Sequence, residues 1–152
     1  MKKSDELSTA IADALRNKWG DQMNRYAFPP PIFVAMQGEF LELDLDNGAL
    51  TAGFPVFERY LNPYGTMQGG MIAAAVDNTL GPLSVLVAPP NVTRRLEVTY
   101  SRPVTPDVER IVVVGKLLER KGRWLSFRAN VYDPEGLRLA RAKAMHWIID
   151  ER

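Results

Sequence analysis

Asp77 stands seven residues after the glycine pair Gly69-Gly70, in a stretch otherwise made of small and apolar residues. The combination of the two features says more than either alone. A loop ending in glycines at a helix N-terminus presents backbone N–H groups that have no intrahelical partner and sit at the positive end of the helix dipole. Glycine lets a ligand approach that backbone without a Cβ in the way. Such a spot can hold a carbonyl oxygen as it gains negative charge. About two turns on, Asp77 is the one ionisable residue of the apolar segment, and a buried carboxylate is costly unless it is paired or hydrogen-bonded. Its presence there calls for a reason. Each feature also has a plain structural reading. Paired glycines serve loops and packing, and an Asp followed by Asn78 and Thr79 can face a solvent channel or cap a neighbouring turn.

The remaining inventory is narrow. The chain of 152 residues has no Cys and a single His, His146. That excludes a disulfide frame, a zinc knuckle, an iron–sulfur cluster, a thiol nucleophile and any site built from several His ligands, so no metal site is expected. With 19 basic and 18 acidic residues the formal charge is +1, which gives no global attraction to nucleic acid or an anionic membrane. The N-terminus MKKSDELSTA has acids where a signal peptide has its apolar run. No apolar stretch is read as approaching the roughly 20 residues that span a bilayer, and no membrane insertion is expected. These features predict a soluble, cytoplasmic protein of one domain.

The elements that must position the chemistry follow from periodicity. From Ser4 to about Tyr26, Leu7, Ile11, Leu15 and Trp19 recur every fourth residue, which predicts an amphipathic helix with Ser4 as its N-cap. Pro29-Pro30-Pro31 should end it and force an extended connection. Next, Leu41, Leu43 and Leu45 alternate with acids, Asn47-Gly48 suits a two-residue turn, and Leu50, Ala52, Phe54 and Val56 alternate again, a hairpin with one buried face. Gly69 to Val87 reads as a helix enclosed by the rest of the fold, with Pro82 ending or kinking it. Four strands follow: one carrying Leu96, Val98 and Tyr100, one over Ile111–Leu118, one carrying Leu125, Phe127, Ala129 and Val131, and one from about Leu139 to Ile149. Gly122 and Pro134-Glu135-Gly136 mark turns. Short turns between consecutive strands predict a largely antiparallel meander, one sheet wrapped around one helix, an α+β class. Residues 1–31 form the N-terminal helix and connection, and 32–152 the core.

The series Asn62, Gly65, Gln68-Gly69-Gly70 and Asp77-Asn78 resembles the loop–helix signature of the hotdog-fold acyl-CoA thioesterases, in particular the PaaI-like group. That group reads Asn, Gly, His-Gly-Gly and then an acid within the central helix. Downstream, Thr93, Val98-Thr99-Tyr100 and Arg102-Pro103-Val104 look like the family's next strand, where a Ser or Thr sits near the reaction centre. The match spans about Phe54 to Ile149, and its fold, a curved antiparallel sheet around one long helix, agrees with the one derived above.

The resemblance implies hydrolysis of an acyl- or aryl-CoA thioester, with CoA as part of the substrate and no separate cofactor. It implies that the Gly69 N–H polarises the thioester carbonyl and that Asp77 acts as general base or as nucleophile. Thr93 would help place the water or the carboxylate, Asn62 would orient one of them, and Gly70 and Asn78 would contact substrate. It further implies a site between two subunits, Asp77 of one working with Gly69 of the other, in a homodimer or a dimer of dimers. The departure is Gln68 in place of His, since an amide can donate a hydrogen bond but cannot relay a proton. This motivates a second reading, a non-catalytic acyl-CoA-binding or ligand-sensing protein. A dehydratase ranks last, because the lone His is far in sequence from the glycine loop. The basic cluster Arg120-Lys121-Gly122-Arg123 is a solvated turn, and both it and Arg94-Arg95 are candidates for the CoA phosphates. His146 alternates with Ala142, Ala144 and Ile148 and reads as a packed or rim residue. Trp19, Trp124 and Trp147 read as core or interface aromatics, with Trp19 able to roof an acyl pocket.

Overall fold

A computed structural model describes residues 3–149. Helix α1 spans Lys3–Trp19 and buries Ile11 and Leu15, with Leu7 and Trp19 packed beside them, as the four-residue period predicts. Ser4 lies inside the helix rather than capping it, and a 3₁₀ turn over Gly20–Arg25 replaces its expected last turns. The proline run is not merely an extended connector. Pro31 opens a short helix, α2 (Pro31–Ala35), whose first position needs no N–H donor, and this helix buries Phe33.

Six strands form one wholly antiparallel sheet in the order β1-β2-β4-β5-β6-β3. They are β1 (Glu39–Asp44), β2 (Ala49–Pro55), β3 (Asn91–Tyr100), β4 (Arg110–Lys121), β5 (Trp124–Tyr132) and β6 (Arg138–Ile148). The meander expectation holds for β4 to β6 but not for β3. That strand lies at the far edge against β6, and residues 101–109 carry the chain across to β4 beside β2. The first hairpin also differs in register. Asp44 pairs with Ala49, so the loop is four residues long. The Asp44 carboxylate closes it by accepting from the Asn47 N–H at 3.1 Å and the Asn47 side chain at 2.7 Å. A bulge at Leu41 puts Phe40 into the core, and Leu45, already in the loop, is exposed, so the expected leucine face is not kept.

Helix α3 (Gly69–Val87) crosses the sheet, and its small residues permit close approach. At Gly115 of β4 a Cβ would lie 2.8 Å from the Leu80 side chain. Pro82 does not end the helix. The chain continues helical to Val87, Pro82 and Leu83 are buried, and the Ser84 hydroxyl donates to the Gly81 carbonyl at 2.6 Å. The lysine of α1, Lys18, reaches the far end and donates to the carbonyls of Val85, Leu86 and Ala88 at 2.8–3.0 Å. Cations are favourable at that negative pole.

Two expectations about α3 need correction. With 19 residues and a mean hydropathy of 1.4, it is long and apolar enough to span a bilayer by composition, contrary to the reading that no stretch came near. Nor is it enclosed all round. Ile72, Ala75, Val76, Thr79, Leu80 and Leu83 face the sheet, whereas Gly70 and Asp77 are exposed and Ala73, Ala74 and Gly81 only half-buried.

Candidate functional site

Asp77 lies on the open side of α3, at the mouth of a cavity of about 300 Å³. The cavity is mainly apolar. Leu15, Trp19 and Met23 line it from the N-terminal segment, Asp77, Asn78, Gly81 and Pro82 from α3, and Asn91 and Val92 from the start of β3. Trp19 therefore roofs a pocket beside the carboxylate. The carboxylate is exposed, so its place in an apolar helix is not a burial cost to be offset. It is held from one side, where the Thr93 hydroxyl donates to Asp77 Oδ1 at 3.0 Å. Asn78 is turned inward, its amide donating to the Ala74 carbonyl at 2.9 Å and approaching Met36 Sδ at 3.7 Å.

The N-terminal end of α3 is organised by the preceding loop. Asn62 Oδ1 accepts from the N–H groups of Tyr64 and Thr66 at 3.0 and 3.2 Å, and its Nδ2 donates to the Thr66 hydroxyl at 2.9 Å. Gly65, at φ +78°, completes that turn, with its N–H on the Asn62 carbonyl. Asn62 thus shapes the loop that delivers Gln68. The Gln68 backbone is the helix cap. Its N–H donates to the Tyr60 carbonyl, and its carbonyl accepts from Met71 and Ile72. Its side chain is exposed and makes no cap bond. The N–H groups of Gly69 and Gly70 have no acceptor among the described residues, as the first turn of a helix allows.

Gly69 and Asp77 share α3, so at about 1.5 Å rise per residue they stand about 12 Å apart. One carbonyl group cannot touch both within a single chain.

One residue from each basic cluster lies near the same aromatic ring. Arg94 lies 5.8 Å and Arg123 5.9 Å from the Trp147 ring centroid, so β3 and the β4–β5 turn place their guanidinium groups over one indole. Arg95 instead pairs with Glu97 at 3.0 Å. Arg120 and Lys121 are exposed, and the Arg120 charge joins burial, the larger cause, in holding Lys18 below its ordinary value. Among the described residues no group of three His, Cys, Asp or Glu side chains is arranged to hold a metal.

Sequence reasoning missed Asn91 and the position of His146. His146 is buried, as a packed residue should be, and it pairs with Thr93 across the β3–β6 ladder. Its Nε2 lies 3.3 Å from the Thr93 hydroxyl and its Nδ1 2.7 Å from Asn91 Oδ1. Burial pushes the imidazole below its ordinary value, and the Asp77 charge partly restores it. The signal available in the sequence was the inward alternation of His146, but its partner lies 53 residues away.

No protein-family model matches the chain, and no curated protein matches it by sequence. Solved structures do match. A phenylacetic acid degradation-related protein of Ralstonia eutropha JMP134, assigned as a thioesterase, superposes with a TM-score of 0.76 at 21% identity, over 91% of this chain and 98% of that one. The PaaI protein of the Escherichia coli phenylacetic acid degradation operon gives 0.75 at 11% identity, over 95% and 96%. A thioesterase-superfamily protein gives 0.72 at 24% identity, over 93% and 100%. The helix crossing a six-stranded antiparallel sheet, matched end to end in these proteins, gives this chain the hotdog fold of the PaaI-like thioesterases.

Proposed function

We propose that the protein hydrolyses an acyl- or aryl-CoA thioester to the free acid and CoA, at a site completed by a second copy of the chain. The observation that carries this reading is the separation on α3. A carboxylate steadied by Thr93 stands at the mouth of an apolar cavity, and two unpartnered amides stand about 12 Å away on the same helix. Two copies with their helices antiparallel would bring Asp77 of one chain to the glycine pair of the other.

The acyl group would occupy the cavity under Trp19. The thioester oxygen would rest against the Gly69 N–H, which stabilises the negative charge developing on it. Asp77 would take a proton from water as the water oxygen bonds to the carbonyl carbon. The C–S bond then breaks, the oxyanion becomes the carboxyl oxygen, and the CoA sulfur receives the proton. In the nucleophilic variant the carboxylate itself forms a mixed anhydride that water later opens. The Gln68 amide can donate to the same oxygen but transfers no proton. Arg94 and Arg123, each within about 6 Å of the Trp147 ring, would meet the CoA phosphates.

Free-thiol release from a panel of CoA esters tests the reading. Turnover that is lost in Asp77→Asn supports it, and absence of turnover on every ester overturns it. Esters that raise the melting temperature yet survive prolonged incubation would identify the acyl-CoA-binding alternative instead. Sedimentation should give a dimer or a dimer of dimers.

A further inference from the structure

The buried imidazole has a fixed orientation. Asn91 Nδ2 donates to the carbonyls of Ser84 at 3.2 Å and Pro89 at 2.9 Å, so the other end of the amide, the acceptor Oδ1, must face the ring. An amide oxygen cannot donate, so Nδ1 of His146 carries a hydrogen across the 2.7 Å contact. In the neutral ring Nε2 is then an acceptor. Thr93 has one hydroxyl hydrogen and two acceptors beside it, Nε2 at 3.3 Å and Asp77 Oδ1 at 3.0 Å. The row is one proton short of complete. A proton added at Asp77 fills it as Asp77 O–H to Thr93, then Thr93 O–H to Nε2. Moving both hydrogens one step along gives Nε2–H to Thr93, then Thr93 O–H to a free Asp77 carboxylate. Both arrangements contain the same atoms, and every donor has an acceptor.

We propose that His146 is a positioning residue for Asp77, acting through the Thr93 hydroxyl. In this role the row Asn91–His146–Thr93–Asp77 holds the proton that Asp77 takes from water until the departing sulfur claims it. The proposal rests on the thioesterase reading with Asp77 as general base. Proton balance closes: one O–H bond of water breaks, the proton enters the row at Asp77, and one S–H bond forms as it leaves. The Asn91 anchor lets the ring accept that proton without turning. Asp77, from α3, is the one charged group acting on the ring among the described residues. From β3 it meets Thr93 and Asn91, and from β5 the apolar Leu125 and Phe127, whose ring lies 4.7 Å away.

His146 is the only histidine of the chain, so its ring nitrogens give unambiguous NMR signals, and no substrate is needed. The wild type should show the neutral ring protonated at Nδ1. Its titration midpoint should fall in Asp77→Asn, and that fall should shrink when Thr93→Val is added. A ring protonated at Nε2, or a midpoint indifferent to Asp77→Asn, overturns the proposal. These variants leave the core untouched, so the test does not depend on a buried substitution folding. In the hydrolysis assay, His146→Gln keeps a hydrogen-bonding side chain but cannot be protonated. It should lower kcat on the order of tenfold or more with KM unchanged and alter the acid limb of the kcat profile. An unaltered profile also overturns the proposal. If the ring couples to Asp77 but no CoA ester is cleaved, the hydrolase reading fails and the hydrogen-bonded row stands.

Discussion

The Tyr100 hydroxyl donates a 2.6 Å hydrogen bond to the Gly69 carbonyl, tying the exposed edge strand β3 to the first residue of α3. The ring leaves no spare room, because a Cβ on residue 69 would lie 3.0–3.4 Å from three of its atoms. Gly69→Ala should therefore push the Tyr100 side chain aside and lose most of that bond. Tyr100→Phe, which deletes only the hydroxyl, should cost about 1 kcal/mol. Thermal melting compares the two, and Gly69→Ala should be at least as destabilising. Burial raises the phenol above its ordinary value of 10.0, so it keeps its proton across the neutral range and the tie does not loosen there.

Asp77→Asn should separate chemistry from stability. The side chain is exposed, and an Asn oxygen can still accept from Thr93. The melting temperature should change little, with a cost within about 0.5 kcal/mol. Hydrolysis should fall by about 10²–10⁴-fold, the usual contribution of a positioned acid–base group. Steady-state thiol release and a melting curve on the same sample check both halves.

Lys18 joins the last turn of α1 to the C-terminal end of α3 through three carbonyls. Lys18→Met keeps the aliphatic stem and removes the donors. A destabilisation of about 1–2 kcal/mol is expected, at the lower end for charged hydrogen bonds because the side chain is partly in water. Chemical denaturation measures it, and an unchanged midpoint would show that solvent replaces the lysine.

Trp19 covers the cavity next to Asp77 and Asn78. Trp19→Ala should open it, raising KM for short acyl esters more than for bulky ones, and should destabilise by about 2–3 kcal/mol, less than for a fully buried Trp. A KM series over ester size is the measurement.

His146 also makes stability depend on pH. Its folded value lies below the ordinary 6.5, so the unfolded chain binds the proton more readily. Stability from this group is complete above about 6.5, is lost as pH falls below it, and stops falling once pH is under the folded value. Denaturation midpoints across that range should decline less steeply in His146→Gln. In Asp77→Asn, where the raising charge is gone, the loss should continue to lower pH.

Local pattern made much of this legible. Alternation located β5, whose Leu125, Phe127, Ala129 and Val131 are all buried. The shift to small apolar residues located α3, beginning at Gly69 and ending at Val87. What was illegible depended on residues distant in sequence. The edge position of β3 is set by its ladder with β6, which no nearby residue announces. Pro82 stays inside the helix, where it and Leu83 are buried against the rest of the fold, and that cover is tertiary. The open side of α3 was read as enclosed because Gly70, Ala73, Ala74 and Gly81 are small or apolar, and composition alone does not tell a covered face from an uncovered one. The partnership of Asn91 and His146 spans 55 positions and became visible only through the paired strands.

The order of elements has a consequence for synthesis. The apolar α3 leaves the ribosome before β3, β4, β5 and β6, four of the six strands that form its bed. A nascent chain must carry this apolar 19-residue segment with only β2 and the N-terminal helices to pack against until some sixty further residues are made. Until those strands are made, much of the face that α3 buries lacks its native cover and is open to association with other chains. A fragment stopped at residue 109 should aggregate rather than settle into a partial native state.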